Sequence, residues 1–184
     1  RGNLMKPSIM ALGLMLICFT HARADCAIVC WGENLYNQCN VPEPNNCFAA
    51  VGVGEGYSVG LKEDSTVICW GAWSYSLESN NGITAISVGM DHILALNSDG
   101  TIVAWGNNDW GQCTVPEPNE GYTAIAAGGI VSVSDEAAGF SLALKEDGSV
   151  VAWGDNSFGQ CNVPEPNSDF IAIAAGGTHC LGLK

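Results

Sequence analysis

Few side chains in this 184-residue chain have the type and spacing that catalysis requires. His21 lies in an N-terminal apolar segment, and His92 and His179 fall at a position that Tyr57 and Phe140 fill in equivalent stretches. Imidazoles that alternate with aromatic rings at one position read as packing spacers, not as general bases placed within reach of a moving proton. Gly52-Val53-Gly54-Glu55-Gly56 has the look of a phosphate loop, but it joins two strand-like runs and opens no helix. Gly-x-Ser-x-Gly, His-Glu-x-x-His and isolated carboxylate pairs do not occur, so no catalytic residue, cofactor site or metal site is read here. Asp99 and Asp147 precede glycine and read first as turn formers, with weak calcium binding as the alternative.

Binding is the chemistry the residues offer. Five residues beyond the tryptophan of each of four Trp-Gly pairs stands an aromatic, at Tyr36, Tyr75, Trp110 and Phe158, each in a loop rich in Asn and other polar residues. Either these rings anchor their loops on a neighbouring unit, or they form a series of aromatic contact points flanked by Asn and Asp. Trp73 and Asp109, at loop sites that vary, are further candidates for choosing a partner. The stretch 130–139, apolar and then acidic, is another contact candidate or an idle surface hairpin.

The elements that must position these loops follow from repetition. Val-Ala-Trp-Gly at 103–106 recurs at 151–154, with Ile-Val-Cys-Trp-Gly at 28–32 and Val-Ile-Cys-Trp-Gly at 67–71. Leu61 to Trp70, Leu96 to Trp105 and Leu144 to Trp153 are each nine residues apart, and the basic period is 39 residues. Asp-Gly between β-prone runs predicts a tight hairpin in each unit. The run 170–175 predicts an inner strand of small side chains, and Gly176-Gly177 a chain reversal. Gln-Cys-Asn-Val-Pro-Glu-Pro-Asn at 38–45 and 160–167, with Thr in place of Asn at 112–119, predicts an outer edge, because prolines cannot sit in a central strand. Four short strands per unit in tandem predict an all-β fold, a β-propeller, over a parallel β-helix. The units run approximately 26–62, 63–97, 98–145 and 146–184. The second unit lacks the Gln-Cys-x-Val-Pro-Glu-Pro segment, and the third carries about nine extra residues near 130–139.

Trp153-Gly154-Asp155-Asn156-Ser157-Phe158-Gly159-Gln160, followed by Ala172 to Lys184, resembles the regulator of chromosome condensation repeat. The short period and the Val-Pro exit loop are closest to the bacterial secreted type that includes a propeller-type β-lactamase inhibitory protein. The resemblance covers 26–184 and implies a propeller that is usually seven-bladed, so this chain is expected to be part of a larger ring. A four-bladed ring closed between its ends is the alternative.

Met5-Lys6, the apolar run 9–19 and Ala22-Arg23-Ala24 read as a secretory signal peptide over 1–24, with Met5 as the start. The apolar run is too short for a membrane span. Beyond it stand three lysines against 19 acidic residues, a net charge of −16. That surface repels polyanions and argues against nucleic acid. Eight cysteines remain after cleavage. Cys39, Cys113 and Cys161 share one repeat position and read as small buried side chains, as do Cys30 and Cys69, which replace Ala104 and Ala152. Cys47 could close a loop with Cys39, and Cys180 could staple the last unit to Cys30 if the ring closes. The expected function is that of a secreted, non-enzymatic module with a protein partner. A section of a larger surface or adhesin protein, and an exchange factor for a small GTPase, are the alternatives; the signal peptide argues against the last.

Overall fold

The computed structural model describes residues 26–72, 82–131 and 137–184. The expected signal peptide and the candidates Trp73 and Tyr75 lie outside the described residues, as does the centre of the 130–139 insertion. The described residues form eleven strands and no helix.

In chain order the strands are β1 (Phe48–Val53), β2 (Tyr57–Lys62), β3 (Val67–Gly71), β4 (Ile83–Val88), β5 (His92–Asn97), β6 (Ile102–Gly106), β7 (Tyr122–Val131), β8 (Ala137–Lys145), β9 (Val150–Gly154), β10 (Ala172–Ala175) and β11 (Cys180–Leu183). They make antiparallel meanders β1-β2-β3, β4-β5-β6 and β7-β8-β9, and a pair β10-β11. These are propeller blades, stacked face to face: β1 packs on β4, β4 and β5 on β7, and β10 on β7 and β8.

The core lies between the sheets. Successive side chains of a strand point to opposite faces, so β5 sends Ile93 and Ala95 toward the first sheet, with Val59, Leu61 and Val67, and Leu94 and Leu96 toward the third, with Ala143 and Trp153. β8 repeats the division, sending Leu142 and Leu144 against Phe170 and Ile173. β2, β5 and β8 are therefore buried on both faces.

Each blade has three described strands, or two in the last, where four were expected. The predicted outer strand is replaced by single side chains. Asn45 accepts from Ile28 N (2.7 Å) and donates to Ile28 O (2.9 Å). Asn119 does the same for Ile102 and Asn167 for Val150. A carboxamide has the donor and acceptor of a peptide group, so it satisfies one residue of an exposed strand edge. The prolines around it offer no N–H to continue pairing.

The hairpins are three-residue loops. Lys62 N, Asn97 N and Lys145 N donate to Thr66 O, Thr101 O and Ser149 O, and the third loop residue has positive φ, at Gly100 (79°), Gly148 (78°) and Ser65 (69°). The glycine, not the aspartate, takes the left-handed conformation. The aspartate accepts from the residue two places on: Asp99 Oδ1 from the Thr101 hydroxyl (2.6 Å) and Asp147 Oδ1 from the Ser149 hydroxyl (2.6 Å).

Gly176 N donates to His179 O, making the predicted reversal. The matching pair Gly128-Gly129 lies inside β7 instead. The insertion lets β7 and β8 pair on through Gly129↔Gly139 to Val131↔Ala137, a hairpin longer than those of the other blades.

Ser65→Gly relieves the one non-glycine left-handed residue among these turns and should raise stability by roughly 1 kcal/mol in a urea unfolding series. The side-chain hydrogen bonds from Thr66, Thr101 and Ser149 hold Asp64, Asp99 and Asp147 below the ordinary value of 3.8. Depressed carboxylates contribute stability that is present above that value and lost as pH falls through the lowered one. Changing Thr66, Thr101 and Ser149 to Ala should move all three aspartates upward in a carboxyl NMR titration. The stability gap between the two proteins should then close only in acid.

Candidate binding face

Three of the four Trp-Gly pairs end the outermost strand of a blade next to the start of the middle strand: Gly71 pairs with Tyr57, Gly106 with His92 and Gly154 with Phe140. The chain passes so close that a Cβ at Gly71 would stand 2.5 Å from Gly56 O. The loops after Trp-Gly, the β1–β2, β4–β5 and β10–β11 turns and the long β7–β8 hairpin therefore all emerge on one face.

The three described loops are tied by one scheme. Asn34, Asn108 and Asn156 accept from Cys39 N, Cys113 N and Cys161 N through Oδ1, at 2.8, 2.8 and 2.9 Å. Gln38, Gln112 and Gln160 accept through Oε1 from the backbone of the aromatic two residues earlier, Tyr36 N (2.9 Å), Trp110 N (3.0 Å) and Phe158 N (2.9 Å). Gln112 Nε2 also donates to Asn107 Oδ1, and Gln160 Nε2 to Asp155 Oδ2.

The glutamine main chain reaches the next blade. Gln38 O accepts from Trp70 Nε1 (2.8 Å) and the Ser58 hydroxyl (2.9 Å), and Gln112 O from Trp153 Nε1 (2.8 Å) and the Ser141 hydroxyl (2.8 Å). Gln160 O accepts from the Cys180 thiol. Trp70 and Trp153 thus join units as well as fill blades, a role the sequence left unassigned.

This scheme leaves the aromatic tips in solvent: Tyr36 is 56%, Trp110 42% and Phe158 71% exposed. Tyr36 also lies against Gly56 of the next blade, where a Cβ would meet its ring at 3.0 Å. Asp109 is exposed beside Trp110 and accepts from Asn107 Nδ2 at 2.9 Å. Between the inner turns opens a cavity of about 450 Å³, lined by Val53, Glu55, Val88, Met90 and the backbone of Gly128 and Gly129 among others.

His92 is fully buried, with Nε2 3.0 Å from the Ser141 hydroxyl and Nδ1 3.8 Å from Asp91 Oδ1. The order Asp-His-Ser resembles a catalytic relay, but Ser141 already donates to Gln112 O and both it and His92 are closed to solvent. His92 packs at the spacer position, as Tyr57 and Phe140 do. His179, at the same position, is exposed.

The lysines are on the opposite face, at the far ends of the middle strands. Lys62 lies over the Phe48 ring, Lys145 over Tyr122 and Lys184 over Phe170, at 5.1, 5.1 and 4.4 Å. Lys62 also donates to Pro44 O and Lys184 to Pro166 O.

The cysteines pair differently from expectation. Cys30 bonds to Cys39, with Cα atoms 5.0 Å apart, so neither the Cys39–Cys47 nor the Cys30–Cys180 bond forms, and Cys47 and Cys180 are thiols. In the other units that keep Gln-Cys, with Cys113 or Cys161, the Cys30 position holds Ala104 or Ala152. A cysteine in place of that alanine meets the Gln-Cys sulfur directly. The ring-closing staple also lacks its setting, because β11 pairs only with β10. Burial pushes the Cys113 and Cys161 thiols up to about 11, so they stay protonated at neutral pH.

Residues 83–112 and 138–160 match the regulator of chromosome condensation (RCC1) repeat. A search of curated proteins yields no match. Among solved structures, the chain is similar to human WBSCR16 (TM-score 0.64, 16% identity, 83% of this chain and 52% of that one). It is also similar to yeast RCC1 (Prp20) bound to Kap60 (0.63, 18%, 84% and 49%). A third is the ectodomain of the Physcomitrella patens receptor kinase CR4 (0.60, 23%, 78% and 40%). At these identities the likeness is one of fold, and the chain spans about half or less of each of these proteins.

Gln112 is fully buried and holds its whole loop. Gln112→Ala strands the Trp110 N–H and empties the space beside Asn107, and should cost about 2–3 kcal/mol in urea unfolding.

Proposed function

We propose that this chain, which carries regulator of chromosome condensation repeats on propeller blades, is a secreted, non-enzymatic module that binds a protein through its Trp-Gly loop face. The observation that carries the reading is the exposure of Tyr36, Trp110 and Phe158 on loops whose backbones are already fixed. Large aromatics held out from rigid supports lose little conformational freedom on binding, which is what interface anchors require. Asp109, and the segments holding Trp73 and Tyr75, would add selectivity beside them. Export is supported by the charged start, apolar run and Ala-x-Ala of residues 5–24. The short period and Val-Pro-Glu-Pro segments favour the bacterial secreted subtype, and a place within a larger surface protein is compatible with the same face. The excess of carboxylates disfavours nucleic acid as the partner. No described helix is long and apolar enough to cross a membrane.

The test is capture of extracellular proteins on the immobilised mature protein, beside a variant with Tyr36, Trp110 and Phe158 changed to Ala. The variant should keep its circular dichroism spectrum and lose the bound partner by at least about tenfold. Equal capture by both proteins removes the reading.

A further inference from the structure

We propose that a second copy of this chain covers the two open faces at the ends of the arc of blades, each copy joining the other head to tail into one closed ring. These faces are separate from the Trp-Gly loop face, and three features of the described residues fit them to each other.

The first is an unfinished strand pairing. β11 holds the middle-strand position of its blade yet pairs only with β10, so its other edge is open. Residues 28–32, Ile-Val-Cys-Trp-Gly, repeat the outermost-strand sequence of β3, β6 and β9 and belong to no sheet among the described residues. Asn45 caps Ile28 N and O on one side of this segment, which directs the backbone of Val29 and Trp31 to the other side, where the inner blades place a middle strand. The register of β8 and β9, carried over position by position, sets Trp31 opposite Cys180, Val29 opposite Gly182 and Ile28 opposite Leu183. The open edge of β11 therefore takes the very strand that 28–32 offers.

The second feature is half of a joint at each end. Gln38 O and Gln112 O each receive a hydroxyl and a tryptophan indole. Among the described residues Gln160 O receives the Cys180 thiol and no indole, and Trp31, 84% exposed, has no carbonyl partner. A carbonyl with a lone pair to spare and an indole that can only donate complete each other.

The third feature is apolar surface. Val59 and Leu61 share a cluster with Ile86 and Val88 of the next sheet, Leu94 and Leu96 with Ile125 and Ala127, and Leu142 and Leu144 with Ile173 and Ala175. Leu181 and Leu183 hold the same place in β11 and are 66% and 58% exposed. Val51 and Val53 hold the receiving place in β1 and are 59% and 74% exposed. Each face is one half of a joint that the chain builds three times internally, so the two faces fit one another and neither fits itself.

Contacts of this head-to-tail kind close into a ring or grow into a filament. With its end faces this open, the arc does not close on itself, and it spans about half of the propellers it is similar to. Each copy brings three sheets and the two parts of a fourth, so two copies make a ring of eight blades, within the range that propellers adopt. Rotation about the ring axis keeps the Trp-Gly loops of both copies on one side, and the pair presents the aromatic tips twice.

The experiment is sedimentation equilibrium of the mature protein over a concentration series, with V51D/V53D and L181D/L183D as variants. All four side chains are exposed in a single copy, so each variant should keep its circular dichroism spectrum. The wild type should reach the mass of two copies and grow no further. Each variant alone should weaken that association by at least about tenfold, and an equimolar mixture of the two should regain much of it, because one joint then has both faces intact. Two misfolded proteins would show no such recovery. A wild-type monomer, or growth past two copies, overturns the proposal. So does loss in only one variant, which marks a face meeting its own copy, and so does a mixture that associates no better than its parts.

Discussion

A single backbone carbonyl sets how one blade meets the next. The carbonyl of Gln38 or Gln112 receives an indole N–H from the outermost strand of the following sheet and a hydroxyl from its middle strand. Apolar faces alone would hold the sheets together while letting them slide, because burial has no direction. Two donors converging on one oxygen fix the sliding coordinate. The glutamine side chain, turned back on its own loop, fixes where that oxygen stands. Loop conformation, blade spacing and the presentation of the aromatic tips are thus one constraint seen from three sides, and stability builds up between neighbours as in other repeat proteins.

The joint that lacks this device shows how far it reaches. The second unit has no Gln-Cys-x-Val-Pro-Glu-Pro segment, and the blade that follows has changed at several positions together. Ile93 stands where Ser58 and Ser141 donate, Ile83 where Phe48, Tyr122 and Phe170 lie under a lysine, and Asn97 where that lysine would be. Each replaced residue is one whose partner belonged to the missing segment or to the aromatic–lysine pair beside it. Three residues are left with buried polar atoms unmatched: among the described residues, Trp105 Nε1, His92 Nδ1 and both Asp91 carboxylate oxygens have no hydrogen-bond partner. Trp105 and Cys69 pack against the same apolar cluster, and burial pushes the Cys69 thiol up to about 11.

Much of this was legible in the residues, and the limits have physical causes. The hairpins could be read because a glycine after aspartate marks a local conformational need, and local needs leave local signatures. The aromatic tips could be read because they recur in phase. The Trp–Gln joint could not, since its acceptor is a main-chain oxygen that any residue type would supply. The outer edge was mistaken for a fourth strand because an extended segment with prolines looks the same whether it pairs or not; only the register places Asn45, Asn119 and Asn167 opposite Ile28, Ile102 and Val150. The Cys30–Cys39 bond was within reach of an alignment of units, because Cys30 is the cysteine that replaces alanine in a unit that also keeps Gln-Cys.

The way the aromatic tips are held has a consequence for how such a surface can change. Gln38, Gln112 and Gln160 grip only the backbone N–H of Tyr36, Trp110 and Phe158, and the ring is not part of the lock. Any residue except proline can supply that N–H. The position behaves as a socket gripped by its backbone: the glutamine hydrogen bond registers that a residue is present and is indifferent to which. A lineage of such chains can therefore exchange recognition chemistry blade by blade, testing new combinations without reopening the question of whether the protein folds.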